Sequence, residues 1–384
     1  MRHQTIFSNL TINVTNISLI ILIINLLVNE TQSKKCRVLA LEGGGDKGAF
    51  QVGAINGLIT NLPPEEVQWD VITGVSIASY NAAVLAHYEI GDEKAASEDL
   101  LTQWRSINRS NIYQNWNYGP IYGLLYSSGL FDNSVERDFI MNHINKLGDF
   151  KRDYIIGATN VKTGTFDTFT NKDFKNITDL ISGIQSSGAF VSMFPFGKFN
   201  NTVYMDGGVK FNLDIPSGIH KCEDKGFKHE DIIIDVVLCS NSSLPIENPE
   251  SLSPIGSYFR YTEISSYDQS MGIIEDVKYY FQNITLRYVV APTRRLPSSF
   301  IPLNFSPADL ELMIKFGQED AKTIIDMGES IHIDYLLNIR REEKRARYIN
   351  PKLGKNELNQ NNCNEVKLDS IDIVNKNNED KFLK

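Results

Sequence analysis

The chain has 384 residues, 42% of them hydrophobic and 22% charged, which is enough apolar sequence to fill a large core in one or two domains. Its 38 Lys and Arg against 47 Asp and Glu give a net charge of −9, and no basic tract with interleaved aromatic residues is present. We therefore expect no nucleic acid among its partners. Any membrane contact must depend on apolar surface, because an acidic chain is not attracted to anionic lipids.

Residues 1–33 differ from the rest of the chain. Ile17–Val28 is almost wholly apolar and is followed by Thr31-Gln32-Ser33, which offers small residues at the spacing read by a signal peptidase. This apolar run is shorter than the roughly 20 residues of a membrane span and fits the core of a signal peptide. We expect a mature start at Lys34 and a secreted or luminal protein of the secretory pathway. The alternative is an uncleaved signal anchor that holds the protein at a membrane.

Apolar runs of strand length alternate with segments of helical period over the first two thirds of the chain. The predicted strands are Arg37–Leu41, Asp70–Thr73, Tyr154–Asn160, Thr165–Thr170, Thr202–Met205 and Ile232–Leu238. The predicted helices are Ala49–Leu62, Ile77–His87, Asp179–Ala189 and a last one that begins at Ser306-Pro307 and ends at Asp326. Buried strands separated by helices predict an α/β fold with a mainly parallel central sheet.

Two further segments mark the domain organisation. Residues 91–148 are helical and polar with aromatic clusters, and they are predicted to be an insertion over one edge of the sheet. Its aromatic residues between Trp104 and Tyr126 either contact lipid or are partly buried against the sheet. Residues 340–384 are charged and rich in Asn without an apolar period, which predicts a flexible polar tail. The folded domain is thus expected over 34–335.

The cysteines indicate no metal site. The chain has four, Cys36, Cys222, Cys239 and Cys363, and no two of them have metal-ligand spacing. They are expected either to form one or two disulfides or to remain as buried thiols. The sequence also lacks a calcium loop, so we expect no metal and no cofactor.

A glycine loop, Gly43–Gly48, follows the first predicted strand and begins a helix. Its glycines allow an anion to approach backbone N–H groups at the positive end of that helix. The spacing of Gly43, Gly45 and Gly48 fits a dinucleotide site, but the acid that would hold the ribose, Asp70, begins the next strand instead of ending it. A Walker-type loop fails because Gly48 follows Lys47 where Ser or Thr is needed.

A serine follows the second predicted strand, in the run Gly74-Val75-Ser76-Ile77-Ala78. A serine on a sharp strand-to-helix turn has its hydroxyl lifted above the sheet, and the next N–H points to where an oxyanion forms. The glycine loop, at the same sheet edge, can supply the remaining donors. Taken alone, Ser76 is equally an N-cap of the following helix.

A carboxylate at a third strand end completes the pattern. Asp206 follows a short apolar strand and is itself followed by Gly207 and Gly208, so it can approach another loop without obstruction. A serine hydroxyl is a poor nucleophile until a base takes its proton, and Asp206 is our candidate for that base. Taken alone, an Asp-Gly pair is a common turn.

In this order, the blocks Gly43–Gly48, Gly74–Ala78 and Asp206–Gly208 resemble those of patatin-like phospholipases. The resemblance covers about residues 37–219 and includes the stretches around Asn81 and Phe194. It implies a three-layer α/β/α domain and a lipid acyl hydrolase of phospholipase A type. Phospholipids or glycerolipids and water would be the substrates, and the reaction would pass through an acyl-serine. Peripheral contact with a membrane is left open.

The resemblance also implies residue roles. Ser76 would be the nucleophile, Asp206 the base, and the oxyanion hole would be formed by Gly43, Gly44, Gly45 and Ile77. Two positions depart from the family pattern: Lys47 stands where arginine is usual, and Ala78 stands where the turn normally has glycine.

Two alternatives remain at this level. In the first, Ala78 weakens or abolishes catalysis, and the protein is a patatin-like lipid-binding protein. In the second, the protein is a Ser-His-Asp esterase that uses His220 or His229, which follow Asp206 in a polar stretch predicted to be a surface loop.

Overall fold

The computed structural model describes residues 34–244, 248, 250, 252–297 and 303–349. The predicted signal segment, 1–33, and residues 350–384 lie outside this described part. Within it the chain forms eight strands: β1 Cys36–Leu41, β2 Val71–Val75, β3 Asp153–Asn160, β4 Phe166–Thr170, β5 Gly197–Phe199, β6 Thr202–Met205, β7 Ile232–Val237 and β8 Thr285–Val290. The α-helices of the described part are α1 Gly48–Asn61, α2 Ile77–Ala86, α3 Glu93–Ser106, α4 Arg109–Ile112, α5 Pro120–Tyr126, α6 Ser134–Ile144, α7 Ile177–Ser187, α8 Ile215–Asp224, α9 Pro254–Tyr280, α10 Pro307–Met327 and α11 Ile331–Ile349.

All eight strands belong to one sheet in the order β5-β6-β3-β2-β1-β7-β8, with β4 also paired to β3. The pairs β1–β2, β1–β7, β2–β3 and β7–β8 are parallel, and the pairs of β3 with β4 and β6, and of β5 with β6, are antiparallel. The predicted mainly parallel sheet is therefore confirmed. Since β2 and β7 flank β1 on opposite sides, loops diverge at the carboxyl end of β1, where α/β sheets open a crevice.

Alternating side chains of β1 enter two separate cores. Leu39 and Leu41 pack in the core that contains side chains of α1, α2 and α10. Val38 and Ala40 point to the other face, where the core contains side chains of α8, α9 and α11. This alternation, which follows from the period of two in a strand, confirms the three-layer α/β/α fold.

Every predicted strand and helix forms, with ends shifted by a few residues. The stretch around His220, which was predicted to be a surface loop, is instead helix α8. Ile215, Ile219 and Cys222 are fully buried on one side of it, and their i, i+4, i+7 spacing outweighs the polar residues between them. The sequence analysis also did not recognise β5, β8, α9 and α11.

The predicted start of the polar tail at residue 340 is wrong for residues 340–349, because α11 continues to Ile349. Leu336 and Leu337 of this helix are buried, and the guanidinium of Arg340 pairs with the carboxylate of Asp268 in α9. A charged sequence therefore continues the helix beyond its last buried apolar turn.

The open question about the cysteines is resolved for three of them. Cys36 and Cys222 form a disulfide that ties the first residue of β1 to α8, and Cys239 is a buried free thiol. Cys363 lies outside the described residues.

The insertion at 91–148 packs on a helical layer and not over the sheet edge that was predicted for it. Its helix α3 lies against α1 and α2. Trp104 of α3 is fully buried, and its indole N–H donates to the side-chain oxygen of Asn81 in α2 at 2.8 Å. The insertion thereby adds to the helical layer that contains α1 and α2.

Candidate active site

Ser76 lies on the tight turn between β2 and α2 with φ 55° and ψ −130°. A Cβ on Gly74 would lie 2.3 Å from the carbonyl oxygen of Ala78, so only glycine fits before this turn. The N–H of Ser76 donates to Ser187 Oγ at 2.8 Å, and that hydroxyl donates to the carbonyl of Gly157 at 2.7 Å. This hydrogen-bonded support holds Ser76 in a conformation that an unsupported serine rarely adopts.

The Ser76 hydroxyl meets the predicted carboxylate. Ser76 Oγ donates to Asp206 Oδ2 at 2.6 Å, and Asp206 Oδ1 accepts the N–H of Gly208 at 2.8 Å. The backbone of Asp206 is also held, since its N–H donates to the carbonyl of Ala189 and its carbonyl accepts the hydroxyl of Thr159, both at 2.9 Å. The two residues singled out from the sequence are thus in direct contact, although 130 positions separate them.

Burial raises the pKa of the Asp206 carboxyl to about 6, against the opposing effect of its hydrogen bonds from Ser76 and Gly208. Only 5% of the residue is exposed, and no cation is among the causes of the shift. A carboxylate with a pKa near 6 is ionised at neutral pH and is more basic than an ordinary aspartate. Such a group is suited to accept a proton from a neighbouring hydroxyl.

Ala78 does not turn Ser76 away from its partner. Its methyl group is fully buried in the first turn of α2, and the 2.6 Å contact between Ser76 and Asp206 forms with this residue in place. The extra methyl group is accommodated because the backbone carbonyl of Ala78, and not its side chain, lies closest to Gly74.

The glycine loop presents fewer donors than the sequence analysis expected. The N–H of Gly43 donates to the carbonyl of Asn212 at 3.1 Å, so the predicted role of Gly43 as an oxyanion donor is not supported. Glycine is still needed there, because a Cβ would lie 2.9 Å from that of Ser76. Within the described part of the chain, the N–H groups of Gly44, Gly45 and Ile77 have no hydrogen-bond acceptor. These three predicted donors all line the same cavity as Ser76.

A buried carboxylate that the sequence analysis missed anchors this loop. Glu42 Oε2 accepts the N–H groups of Cys239 at 2.6 Å and Ser240 at 2.8 Å. Glu42 Oε1 accepts the hydroxyls of Ser240 at 2.7 Å and Ser270 at 2.5 Å and the amide of Asn212 at 3.2 Å. The start of the glycine loop is thereby tied to the end of β7 and to α9. The only signal in the sequence was the acidic residue directly before Gly43.

Ser76 and Asp206 open into a cavity of about 660 Å³. Much of its wall is apolar, formed by side chains that include Ile112, Ile184, Phe190, Phe194, Leu303 and Phe305. Lys47 also lines the cavity, beside the glycine loop. The cavity therefore combines an apolar wall with the Ser76 hydroxyl and a positive charge.

A second carboxyl group, Glu136, lines the same cavity and was not recognised from the sequence. Burial, together with the nearby charge of Asp206, raises the pKa of Glu136 to about 7 despite a hydrogen bond from the Asn133 amide at 3.0 Å. The negative charge of Asp206 thus disfavours the ionised form of Glu136.

The two histidines proposed for a triad lie elsewhere. His220 Nδ1 and His229 Nε2 each contact a carboxylate oxygen of Glu223 at 2.7 Å. His229 lies three residues before the start of β7, at the amino end of the parallel strands, whereas Ser76 follows the carboxyl end of β2. Of the histidines that the structure describes, none lines the cavity. The geometry does not support the Ser-His-Asp alternative.

The described ranges contain neither a cluster of metal ligands nor a helix that could span a membrane. No group of three or more His, Cys, Asp or Glu side chains there is placed to hold a metal ion. No helix among those residues is both long enough and apolar enough to cross a membrane.

The fold and site define an α/β/α protein with a serine on a strand-to-helix turn, paired to an aspartate beside a glycine loop. Residues 39–218 match the family model of patatin-like phospholipase, and this part of the chain is a patatin-like domain. The chain is 27% identical over 210 residues to the probable lipid hydrolase 463L of Invertebrate iridescent virus 6, a match that covers 53% of this chain and 70% of that protein. Among solved structures, VipD from Legionella pneumophila aligns with a TM-score of 0.36 and 13% identity, over 77% of this chain and 67% of that one.

Proposed function

We propose that this protein is a lipid acyl hydrolase of phospholipase A type, which cleaves fatty-acyl esters of phospholipids or glycerolipids. The observation that carries the proposal is the 2.6 Å hydrogen bond from Ser76 Oγ to Asp206 Oδ2 inside a largely apolar cavity. The family of residues 39–218 and the relative described as a probable lipid hydrolase support the choice of a lipid substrate.

In the first half of the reaction, Asp206 takes the proton of the Ser76 hydroxyl as the oxygen attacks the ester carbonyl carbon. The carbonyl oxygen becomes an oxyanion that the N–H groups of Gly44, Gly45 and Ile77 are free to bind. The bond to the leaving alcohol then breaks, and protonated Asp206 returns the proton to that oxygen. The products of this half are an alcohol and an acyl ester of Ser76.

In the second half, water replaces the departed alcohol. Asp206 takes a proton from water as its oxygen attacks the acyl-Ser76 carbonyl, and the same N–H groups bind the new oxyanion. The bond to Ser76 Oγ breaks, the serine oxygen recovers the proton from Asp206, and a fatty acid leaves. One ester and one water are consumed, and one alcohol and one acid are released.

The cavity suits an acyl chain with a polar group near its ester. The apolar wall formed by residues such as Phe190, Phe194 and Phe305 would enclose the chain. Lys47 would supply a point charge for an ester or phosphate oxygen, without the bidentate geometry of an arginine.

A fluorophosphonate probe tests the proposal, because it labels only a serine that a base has activated. We expect labelling of the wild-type protein and its loss in Ser76→Ala and Asp206→Asn. The double variant His220→Ala/His229→Ala is the matched control and should be labelled like the wild type. A folded wild-type protein that is not labelled would instead support the lipid-binding alternative, and loss of labelling in the histidine variant would support a triad.

Product analysis separates the ester classes. Purified protein is incubated with a phospholipid, a galactolipid and a triglyceride, with Ser76→Ala as the blank. We expect release of free fatty acid together with a lipid that has lost one acyl chain. Release of a phosphorylated headgroup without fatty acid would contradict acyl hydrolysis.

We also propose that the protein works in the secretory pathway, either secreted or luminal. The apolar run at 17–28 supports this, and so does the Cys36–Cys222 disulfide, since disulfides form and persist in oxidising compartments. N-terminal sequencing of the protein recovered from its native cells tests cleavage before Lys34. An intact Met1 start on a membrane-bound protein would support the anchor instead.

A further inference from the structure

Residues 115–131 form a surface loop whose two ends are joined, and we call it the tyrosine loop. Its neck is closed by Gln114 and Asp132, whose backbones exchange hydrogen bonds of 2.8 and 3.0 Å. The side-chain amide of Gln114 also donates to the carboxylate of Asp132 at 2.9 Å. A compact surface loop with joined ends, here carrying the short helix α5, is a frequent functional element.

The tyrosine loop is unlike the rest of the chain in charge and exposure. It has no Asp, Glu, Lys or Arg, although 22% of the whole sequence is charged. Tyr118 is 82% exposed, Leu125 64% and Tyr126 77%. Tyr122 connects them into a ladder, with its ring centroid 5.5 Å from those of both Tyr118 and Tyr126. An uncharged and exposed patch of neighbouring aromatic rings of this kind marks an interaction surface.

The loop is attached to the walls of the cavity that holds Ser76. Just inside its neck, the N–H groups of Leu130 and Phe131 donate to the carbonyls of Ser192 and Met193 at 3.0 and 2.8 Å. The next residue, Phe194, lines the cavity, and so does Ile112 on the other side of the neck. The loop is thus connected to the cavity wall through two short stretches of backbone, one that leads to Ile112 and one that pairs with residues 192–193 next to Phe194.

We propose that the tyrosine loop docks on the surface of a zwitterionic phospholipid layer and holds the cavity against it. Tyrosine suits this occupant, because its ring is apolar and its hydroxyl is polar, and tyrosines are enriched where a membrane meets water. The absence of charge in the loop suits it too, since a neutral surface inserts at headgroup depth without desolvating an ion. The net charge of −9 argues against attraction to an anionic layer. The inference rests on the proposed function only for the statement that the docked layer contains the substrate.

Vesicle binding tests the inference without any hydrolysis. The Ser76→Ala protein is sedimented with phosphatidylcholine vesicles, alone and with Tyr118→Ser/Tyr126→Ser. The matched control is Tyr279→Ser/Tyr280→Ser, which removes two tyrosines of similar exposure, 73% and 69%, at the far end of α9. Those positions lie roughly 30 Å along the helix from its cavity-lining residue Tyr258.

We expect the loop variant to lower the vesicle partition coefficient by at least about tenfold, and the control variant to change it by less than about twofold. Equal partitioning of the two variants would overturn the inference. So would the absence of wild-type binding to phosphatidylcholine, or binding that requires anionic lipid and is lost in high salt. Retained binding in Leu125→Arg would also contradict it, since a charge on the inserted face must be desolvated.

Tryptophan quenching locates the contact. Of the three tryptophans, Trp69 and Trp104 are fully buried, whereas Trp116 belongs to the tyrosine loop, with its ring centroid 5.9 Å from that of Tyr122. We expect brominated phosphatidylcholine to quench the emission of Ser76→Ala protein and to have no effect once Trp116→Phe is added. Quenching that persists in Trp116→Phe would place the contact elsewhere.

Activity assays separate this inference from the proposed function. If the function is right and the loop docks, the Tyr118→Ser/Tyr126→Ser variant loses activity on vesicles and retains it on a soluble short-chain ester. If the wild type hydrolyses neither substrate, the proposed function fails while the binding experiments still decide the inference. If the variant hydrolyses vesicles as well as the wild type, the inference fails and the function stands.

Discussion

Two buried carboxylates lie at the carboxyl edge of the sheet, and they differ in how they are satisfied. Glu42 accepts hydrogen bonds from two backbone N–H groups and from the side chains of Ser240, Ser270 and Asn212. Among the residues that the structure describes, the Asp206 carboxylate accepts only from Ser76 and from the N–H of Gly208. One carboxylate is surrounded by fixed donors, and the other accepts the hydroxyl of Ser76, as the proposed function requires of a base.

The difference indicates separate tasks for the two groups. A carboxylate whose lone pairs are all occupied by donors positions the chain around it, and for Glu42 that chain is the glycine loop. A buried carboxylate with few donors is raised in pKa, and for Asp206 the value of about 6 preserves basicity toward Ser76.

Asp206→Asn should abolish activity without destabilising the fold. We expect ester hydrolysis to fall by at least about 1,000-fold, because the base is lost while the hydrogen-bonding shape is kept. The folded pKa of about 6 is above the unfolded 3.8, so folding takes up a proton between these values and stability decreases as pH rises through them. Removing the buried charge should therefore raise the free energy of unfolding at pH 8 by roughly 1 to 3 kcal/mol.

Urea unfolding of wild type and Asp206→Asn at pH 8 and pH 4 measures this effect. The free energy of unfolding of the variant should exceed that of the wild type at pH 8, and the difference should be much smaller at pH 4, where the wild-type carboxyl is protonated. A variant that is clearly less stable than the wild type at pH 8 would show that Asp206 is a structural residue like Glu42.

Glu42→Gln should have the opposite profile. If the oxygen of the new amide faces the N–H groups of Cys239 and Ser240, its NH2 group faces the Asn212 amide, which donates to the carboxylate in the wild type, so donor meets donor. We expect a decrease in unfolding free energy of about 3 kcal/mol, together with reduced activity as the glycine loop loses its anchor. Glu230→Gln, at an exposed position, is the control for urea unfolding. Unchanged stability in Glu42→Gln would remove the contrast between the two carboxylates.

The pH profile should show the titration of Asp206. Below about pH 6 we expect kcat/KM on a soluble ester to fall about tenfold per pH unit, since protonated Asp206 cannot accept the serine proton. Above that value the rate should reach a plateau. Glu136→Gln should leave the inflection in place, because Glu136, with a pKa of about 7, is mostly protonated and uncharged at the pH where Asp206 titrates. An inflection that moves to lower pH would mean that Glu136 is charged beside Asp206 at that pH.

Ala78→Gly should have the smallest effect. Since Ser76 already contacts Asp206 with Ala78 present, we expect activity to change by less than about threefold and unfolding free energy to fall by about 1 kcal/mol, because glycine weakens a helix. The rate of labelling by the fluorophosphonate probe measures the activity of Ser76, and urea unfolding measures the free energy of unfolding. A gain in activity of more than about tenfold would show that the alanine holds Ser76 out of position.

Much of the site was predictable because its residues belong to short sequence motifs that directly follow predicted strands. The glycine loop and the serine turn follow the parallel strands β1 and β2, which bring their carboxyl ends to one edge. The Asp-Gly-Gly block also follows an apolar run, but β6 is antiparallel and reaches this edge because it pairs with the last residues of β3. Elements with weaker patterns were missed. The long helix α9 mixes Ser, Tyr and charged residues with its buried Tyr267, Met271 and Ile274, and α8 was mistaken for a loop because of its polar face.

By itself, the sequence determined the α/β class, the order of the strands along the chain and the placement of Ser76 and Asp206 at strand ends, because these depend on period and local turns. Only the tertiary structure decided which N–H groups remain free. The N–H of Gly43 donates to the carbonyl of Asn212, 169 positions away, while the N–H groups of Gly44 and Gly45 have no acceptor within the described ranges. It also decided the pKa of Asp206, the donors around Glu42 and the exposure of the tyrosine loop. Desolvation and hydrogen bonding of these groups depend on neighbours that come from remote parts of the chain.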